Sequence, residues 1–422
     1  MNKNLMIFGI ITSLCCGTLF AGPLKVYILA GQSNMQGHAL DSTLPYMALD
    51  QVTKPLLQKL VDEKGVPKIF PDVHVTAVSE RGTRPTAKDG PLSVGFGKHL
   101  QFPTSFGPEL AFGATLYDNL KEPILIIKTA WGGKSLHTNY RPPSAGPYTL
   151  PKEVKKLWDE NPKGGNGAPD EAKREEFWAK KKKETGHYYR LMIESVKNVL
   201  ADPSKVCSAY DPKKGYELAG MAWFQGFNDL VDGGAYPRKD EVDRYKMYST
   251  YLSHFIRDIR KDLSAPKMPF VIGVLGVGGA MEDMKPGEGG YEFRKAMAAP
   301  AELPEFKGNV FSVQTGQFWD KDIGKIDVIN SLHYKRITRE FNRKNPGGGK
   351  DLSREDRRDY VKRRKEHFDK GFAAAWTEKF PDTELAPILK GTANAGYHYF
   401  GSGKILSQIG EAFAKQLLEN RN

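Results

Sequence analysis

A serine at position 33 stands in the block Gly31-Gln32-Ser33-Asn34-Met35, immediately after the apolar run 24–30. A buried strand that ends in Gly-x-Ser sets the serine on the turn into the next helix. Its hydroxyl then projects at the carboxyl edge of a sheet, among the first N–H groups of that helix. An acyl-transfer oxyanion needs those surroundings, so Ser33 is a candidate nucleophile. The same serine would serve as the N-cap of an ordinary helix, and the pentapeptide alone does not choose.

A nucleophilic serine needs a base to take its proton, and the chain has nine histidines. His398 has the best context, a Gly-flanked aromatic loop (residues 394–403) just before the last helical stretch. From there it can reach back over the end of the first strand. His137, two residues after Ser135, is a second candidate to line the same cleft, whereas His333 and His367 sit in a charged stretch and read as solvated. Two loops offer donors. In Ala130-Trp131-Gly132-Gly133-Lys134-Ser135, paired glycines let backbone N–H groups approach a ligand closely. In Gln225-Gly226-Phe227-Asn228-Asp229 an asparagine amide follows a strand. Glycine and asparagine are also ordinary turn residues. What favours function is that three strand ends each present polar groups to one crevice.

The elements that must position these groups are short β-branched runs at 24–30, 124–129, 218–224, 270–275 and 309–315, with helical patterns at 108–119, 188–200, 242–262 and 403–418. That alternation predicts an α/β fold, a three-layer αβα sandwich around a mostly parallel five-stranded sheet. Two insertions, about 137–185 and 321–390, each carry Pro- and Gly-rich loops and charged helical stretches, with too few apolar residues for a core of their own. In the second, Ser353 and Asp356 have the spacing of a capping box. Residues 22–422 therefore read as one domain with insertions. Residues 1–21, with Lys3, an apolar stretch to Phe20 and a small residue at Ala21, read as a secretory signal. The stretch is short for a spanning helix and Lys25 follows at once, so stable membrane insertion is not expected and a secreted or periplasmic enzyme is. Cleavage near Ala21 leaves Cys207 alone, without an intramolecular disulfide partner.

The net charge of the 422 residues is +12, yet basic residues are interleaved with acidic ones, as in 353–359. Such runs are usually solvated helix faces, and no nucleic-acid-binding signature accompanies them, so nucleic acid is not an expected partner. No Cys/His cluster has metal-ligand spacing, and no metal or other cofactor is expected.

Together the four blocks resemble those of SGNH-type hydrolases, within them the sialate O-acetylesterase-like group that includes carbohydrate esterase family six. They are Gly31-Gln32-Ser33-Asn34-Met35, Ala130-Trp131-Gly132-Gly133-Lys134-Ser135-Leu136, Gln225-Gly226-Phe227-Asn228-Asp229 and Tyr397-His398-Tyr399-Phe400-Gly401. They occur in the family's order and span nearly the whole mature chain. The resemblance implies Ser33 as nucleophile, His398 as base, and the Ser33 N–H, the Gly133 N–H and the Asn228 amide as oxyanion donors. It also implies Gln32, Gln225 and Trp131 as substrate-binding residues. The sequence departs from the pattern twice. Phe227 stands where many relatives have an acid, and the residue three before His398, commonly Asp, is Ala395; the nearby Asn394 carries no charge. If 321–390 is an insertion, Asp320 would remain beside His398 in space and complete the triad; the alternative is a dyad oriented by a backbone carbonyl.

The implied activity is removal of O-acetyl groups from carbohydrate through an acetyl-enzyme. The partner is an acetylated glycan of the xylan, pectin, sialic acid or sulfated algal kind, and the positive charge favours an acidic polymer. The missing aspartate motivates an alternative, a carbohydrate-binding relative that kept the fold and lost turnover.

Overall fold

Seven strands form one sheet in the computed structural model, which describes residues 22–81, 84–98, 104–237, 244–345, 353–379, 388 and 390–420. In chain order they are β1 (Leu24–Gly31), β2 (Phe70–Arg81), β3 (Arg84–Leu92), β4 (Ile124–Ala130), β5 (Tyr216–Phe224), β6 (Phe270–Val274) and β7 (Val310–Gln314). Their order in space is β3-β2-β4-β1-β5-β6-β7. All neighbours are parallel except β3, which pairs antiparallel with β2 at one edge. The five expected strands make up the centre and the other edge. The expectation of five stopped short by a hairpin. Val73, Val75 and Ala77 of β2 alternate into the core, but Pro71 precedes them and Pro85 and Pro91 interrupt β3. Proline is tolerated in an edge strand, where its missing N–H faces no neighbour, and a run carrying it does not read as a strand.

Every residue of β1 is buried, as a central strand covered on both faces requires. On one face lie the helices Glu109–Leu120 and Gly403–Glu419, where Phe112 meets Tyr27 edge-on at 5.7 Å. On the other lie His187–Ala201, Lys246–Asp262 and Gly289–Ala298, with Phe255 at 4.3 Å from Trp223. The result is an α/β sandwich. The register brings three strands to the same level, since Gly31 pairs with both Ala130 and Phe224. The loops after β1, β4 and β5 therefore emerge together, where the chain switches from one side of β1 to the other.

The insertion at 137–185 carries the helices Lys152–Glu160 and Glu171–Glu184, held by rings: Phe177 lies 5.2 Å from Trp158 and 5.8 Å from Tyr148. The insertion at 321–390 carries Lys321–Lys344 and Arg354–Lys379, with Phe341 against Tyr360 and His367. Ser353 and Asp356 do form the expected cap, Asp356 N–H donating to Ser353 Oγ at 3.2 Å. The leader-like residues 1–21, and part of the second insertion, lie outside the described residues.

Candidate active site

Ser33 opens a single helical turn, Ser33–Gln36, directly beyond β1. The turn can start there because Gly31 has no side chain: a Cβ would lie 2.1 Å from the carbonyl oxygen of Phe224. The N–H of Gln32 donates to that same oxygen at 3.2 Å, and Gln36 N–H closes the turn on Gln32 O. Tyr140 and the N–H of Trp131 both donate to Gly31 O. The chain on either side of Ser33 is thus clamped to β5 and to the loop after β4.

Gln32 ties the serine to the block after β5. Its Oε1 accepts from the N–H groups of Gly226 (3.1 Å) and Asn228 (3.3 Å), which can only donate. Its Nε2 therefore faces Asn228 and donates to Oδ1 at 3.0 Å. That fixes the Asn228 amide with Nδ2 turned away, and among the described residues no hydrogen bond takes it. Gln32 borders the cleft. Gln225, expected to bind substrate, does not: it is buried behind the wall, donating to Asp229 and Lys134 O and receiving Tyr248 OH.

Asp229 sets the position of the glycine loop. Fully buried, it accepts from four donors: the N–H groups of Leu136 and His137, the Gln225 amide and Tyr236 OH. Burial raises its pKa to about 6 against those hydrogen bonds. The loop so held brings Gly132 against Ser33, where a Cβ on Gly132 would lie 3.5 Å from Ser33 Cβ. Gly133 follows with a left-handed φ of 73° and borders the cleft. The sequence showed Asp229 in its block but not this role, since the loop N–H groups it holds lie about 90 residues away. Trp131 borders the cleft but is buried against Tyr140 and Tyr188. His137 packs edge-on among Tyr148, Tyr236 and Tyr251, and burial drives its pKa down to about 3. It is not part of the cleft wall.

His398 sits in a tight turn, Gly396–Gly401, in which Tyr399, Phe400 and Gly401 all take left-handed backbone (φ 51°, 59° and 58°). Two consecutive non-glycine residues in that region cost energy, and such strain persists only where the surroundings enforce it. They do. The Tyr399 hydroxyl receives Gly276 N–H at 2.6 Å and meets Thr315 Oγ1 at 2.7 Å, anchoring the turn beyond the ends of β6 and β7. The Nδ1 of His398 lies 2.9 Å from Asn394 Oδ1. Asp320, expected beside it, is engaged elsewhere. It caps the helix Lys321–Lys344 through the N–H groups of Asp322 and Ile323, and it accepts from Tyr46 OH and Lys404. The insertion starts at Asp320 as its first N-cap, and a carboxylate saturated by four donors has no call on the imidazole. Burial, with the ammonium of Lys98, lowers the pKa of His398 to about 4.

Ser33, Gly132, Gly133, Asn228 and His398 share one cleft of about 590 Å³. Phe227 and Tyr397, rings 5.8 Å apart, line part of its wall. Ser79 from β2 and Lys98 from the loop after β3 line another, and Lys134 lies over the Tyr188 ring at 4.5 Å. The described lining includes two lysines and no carboxylate. A hydroxyl, a neutral imidazole, two glycines and an outward amide around one cavity are the parts of acyl transfer.

The solved structures that resemble the chain distantly include these two. One is a protein from Arabidopsis thaliana (18% identity, 69% of this chain and 86% of that one, TM-score 0.36). The other is a carbohydrate acetylesterase from Xanthomonas citri (15% identity, 68% of this chain and 49% of that one, TM-score 0.36). No match is found among curated proteins. The sequence profile of the family described as carbohydrate esterase, sialic acid-specific acetylesterase matches residues 23–159 and 171–308. Those residues hold Ser33, Gly133 and Asn228, while His398 follows beyond them. The chain therefore belongs to the sialic acid-specific acetylesterase family and is a carbohydrate O-acetylesterase.

Proposed function

We propose that the protein removes acetyl groups from a glycan by a serine mechanism, with Ser33 as nucleophile and His398 as base. His398 Nε2 takes the Ser33 proton as Oγ attacks the acetyl carbonyl. The tetrahedral oxyanion rests on the N–H groups of Ser33 and Gly133 and on Asn228 Nδ2. The C–O bond to the sugar then breaks, and His398 returns its proton to the departing sugar oxygen. Water, deprotonated by His398, attacks the acetyl-enzyme and releases acetate. The observation that carries this reading is the meeting of Ser33, the glycine pair, Asn228 and His398 in one cleft, although they come from opposite ends of the chain.

The lining favours a substrate with an apolar sugar face and a negative charge, since it includes the rings of Phe227 and Tyr397 and the ammonium groups of Lys98 and Lys134. The leader-like residues 1–21 suit an enzyme exported to such a glycan. Acetate release from acetylated xylan, pectin, O-acetylated sialoglycan and sulfated algal polysaccharide tests both parts. Ser33→Ala should abolish release, by about 10⁴-fold or more. Retention of more than about a tenth of the rate would remove the serine mechanism. Lys98→Ala with Lys134→Ala should raise KM on the charged polymers and leave it unchanged on neutral xylan.

A further inference from the structure

A second histidine lies flat on the first. The rings of His38 and His398 are 3.8 Å apart between centroids and 12° from parallel. Asn394 bridges them, with Oδ1 at 2.9 Å from His398 Nδ1 and Nδ2 at 3.1 Å from His38 Nδ1. Which end of the amide faces which ring is decided by a third contact. The N–H of Ala395, a donor and nothing else, reaches Asn394 Oδ1 at 2.9 Å. That atom is therefore the oxygen, and an amide oxygen can only accept. His398 must then carry its proton on Nδ1, which leaves on Nε2 the lone pair a general base needs. By the same logic His38 Nδ1 is bare and accepts from the amide nitrogen.

We infer that Asn394 is the residue that orients His398, in the position of a triad carboxylate, with the Ala395 N–H keeping the amide the right way round and His38 taking its other end. The inference rests on the reading of Ser33 and His398 as nucleophile and base. An amide is ordinarily a poor third member, because it can turn by half a revolution and present its NH₂ to the imidazole. That traps the wrong tautomer, which in a Ser-His-Asp protease costs about 10⁴ in kcat. Here the half turn would set Nδ2 against the Ala395 N–H, donor against donor. Gly401 keeps the partners together, since a Cβ there would lie 2.5 Å from His38 O and 2.9 Å from Asn394 Cβ. Asn394 N–H is held at 2.7 Å by Phe400 O from the same turn.

A neutral orienter secures the tautomer without adding charge to stabilise the imidazolium. Facing His398 are the His38 ring, the Tyr397 ring at 4.4 Å and the ammonium of Lys98, and among the described residues no carboxylate hydrogen-bonds to it. The low pKa of His398 fits those surroundings.

Two measurements on the full-length protein test the assignment. In the first, histidine ¹⁵N spectra read the tautomer without any turnover. Wild type and Ser33→Ala should both show His398 protonated on Nδ1 and bare on Nε2, and Asn394→Ala should show a mixture. In the second, 4-nitrophenyl acetate hydrolysis is followed from about pH 3 to about pH 8. Asn394→Ala should lower kcat by about 10² to 10⁴ with KM nearly unchanged. Asn394→Asp should stay folded and active while moving the acid limb of kcat/KM up by about one pH unit or more, because a carboxylate favours the imidazolium. An unmoved limb in Asn394→Asp, or a wild-type tautomer in Asn394→Ala, would overturn the role of Asn394. Turnover surviving in Ser33→Ala would instead strike the serine mechanism itself, and the spectra would still report on the pair.

Discussion

At the scale of single residues, His398 gives the most direct solution test. Burial and Lys98 both disfavour the imidazolium, so the free base persists well below the ordinary histidine value of 6.5, down to about pH 4. The acid limb of kcat/KM should accordingly fall near pH 4, and a limb near 6.5 would show that burial and Lys98 do not depress the imidazole. The same shift makes folding stability decline as pH drops through that window, because the unfolded chain takes up the proton first. Asp320 supplies the contrasting case. Burial works against its carboxylate, but the Ile323 N–H and the Lys404 ammonium outweigh it and hold the pKa below the usual value. Asp320→Ala should cost about 1–2 kcal/mol in urea unfolding through the lost cap. Turnover on 4-nitrophenyl acetate should stay within about threefold of wild type, since Asp320 makes no hydrogen bond to His398.

At the scale of elements, the loops at the carboxyl ends of the strands hold each other, and Asp229 is the joint between two of them. All four of its partners are donors, two on each oxygen. In Asp229→Asn the new NH₂ would face a backbone N–H donor whichever way it turned, Leu136 on one side and His137 on the other. A loss of about 2–4 kcal/mol in denaturant unfolding is expected, from buried donors left unsatisfied. kcat should fall as well, because the loop carrying Gly132 and Gly133 would no longer be fixed against Ser33. Unchanged stability would mean that the loop stands without the carboxylate. The His398 turn is held in the same manner by Tyr399 on Gly276 and Thr315, which explains two left-handed non-glycine residues in a row.

Across the whole molecule, a buried ion pair underlies the site. Lys128 in β4 donates to Glu109 at 2.6 Å, and also to the carbonyls of Gln36 and Phe96. Both side chains are almost wholly buried, and each ammonium proton has an acceptor. The pair joins the sheet, the helix Glu109–Leu120, the loop after β3 and the end of the turn that bears Ser33. Lys128→Met would strand a buried carboxylate and should cost about 3–5 kcal/mol. Adding Glu109→Leu should recover part of it, but not all, because Gln36 O, Phe96 O and Gly107 N–H would still lack partners. Full recovery would show that those backbone groups find other partners.

Local chemistry is what a linear chain displays, and the strand-end blocks around Ser33, Gly133, Asn228 and His398 were readable because each couples an apolar run to the turn residues that must follow it. The parallel sandwich was legible for the same reason, in the alternation of β-branched and helical stretches. The hairpin of β2 and β3 was not, since proline hides an edge strand, and with it went Ser79 and Lys98 on the cleft wall. The partner of His398 also had to wait for the fold. A sequence shows that Asn394 is near and uncharged and that Asp320 is charged. Only packing decides that the carboxylate is spent on Lys404 and a helix end, while a backbone N–H turns the amide toward the ring. Some of these partners are sequence neighbours and others lie 84 or 360 positions apart, and which of them meet is set by the packing of the whole fold.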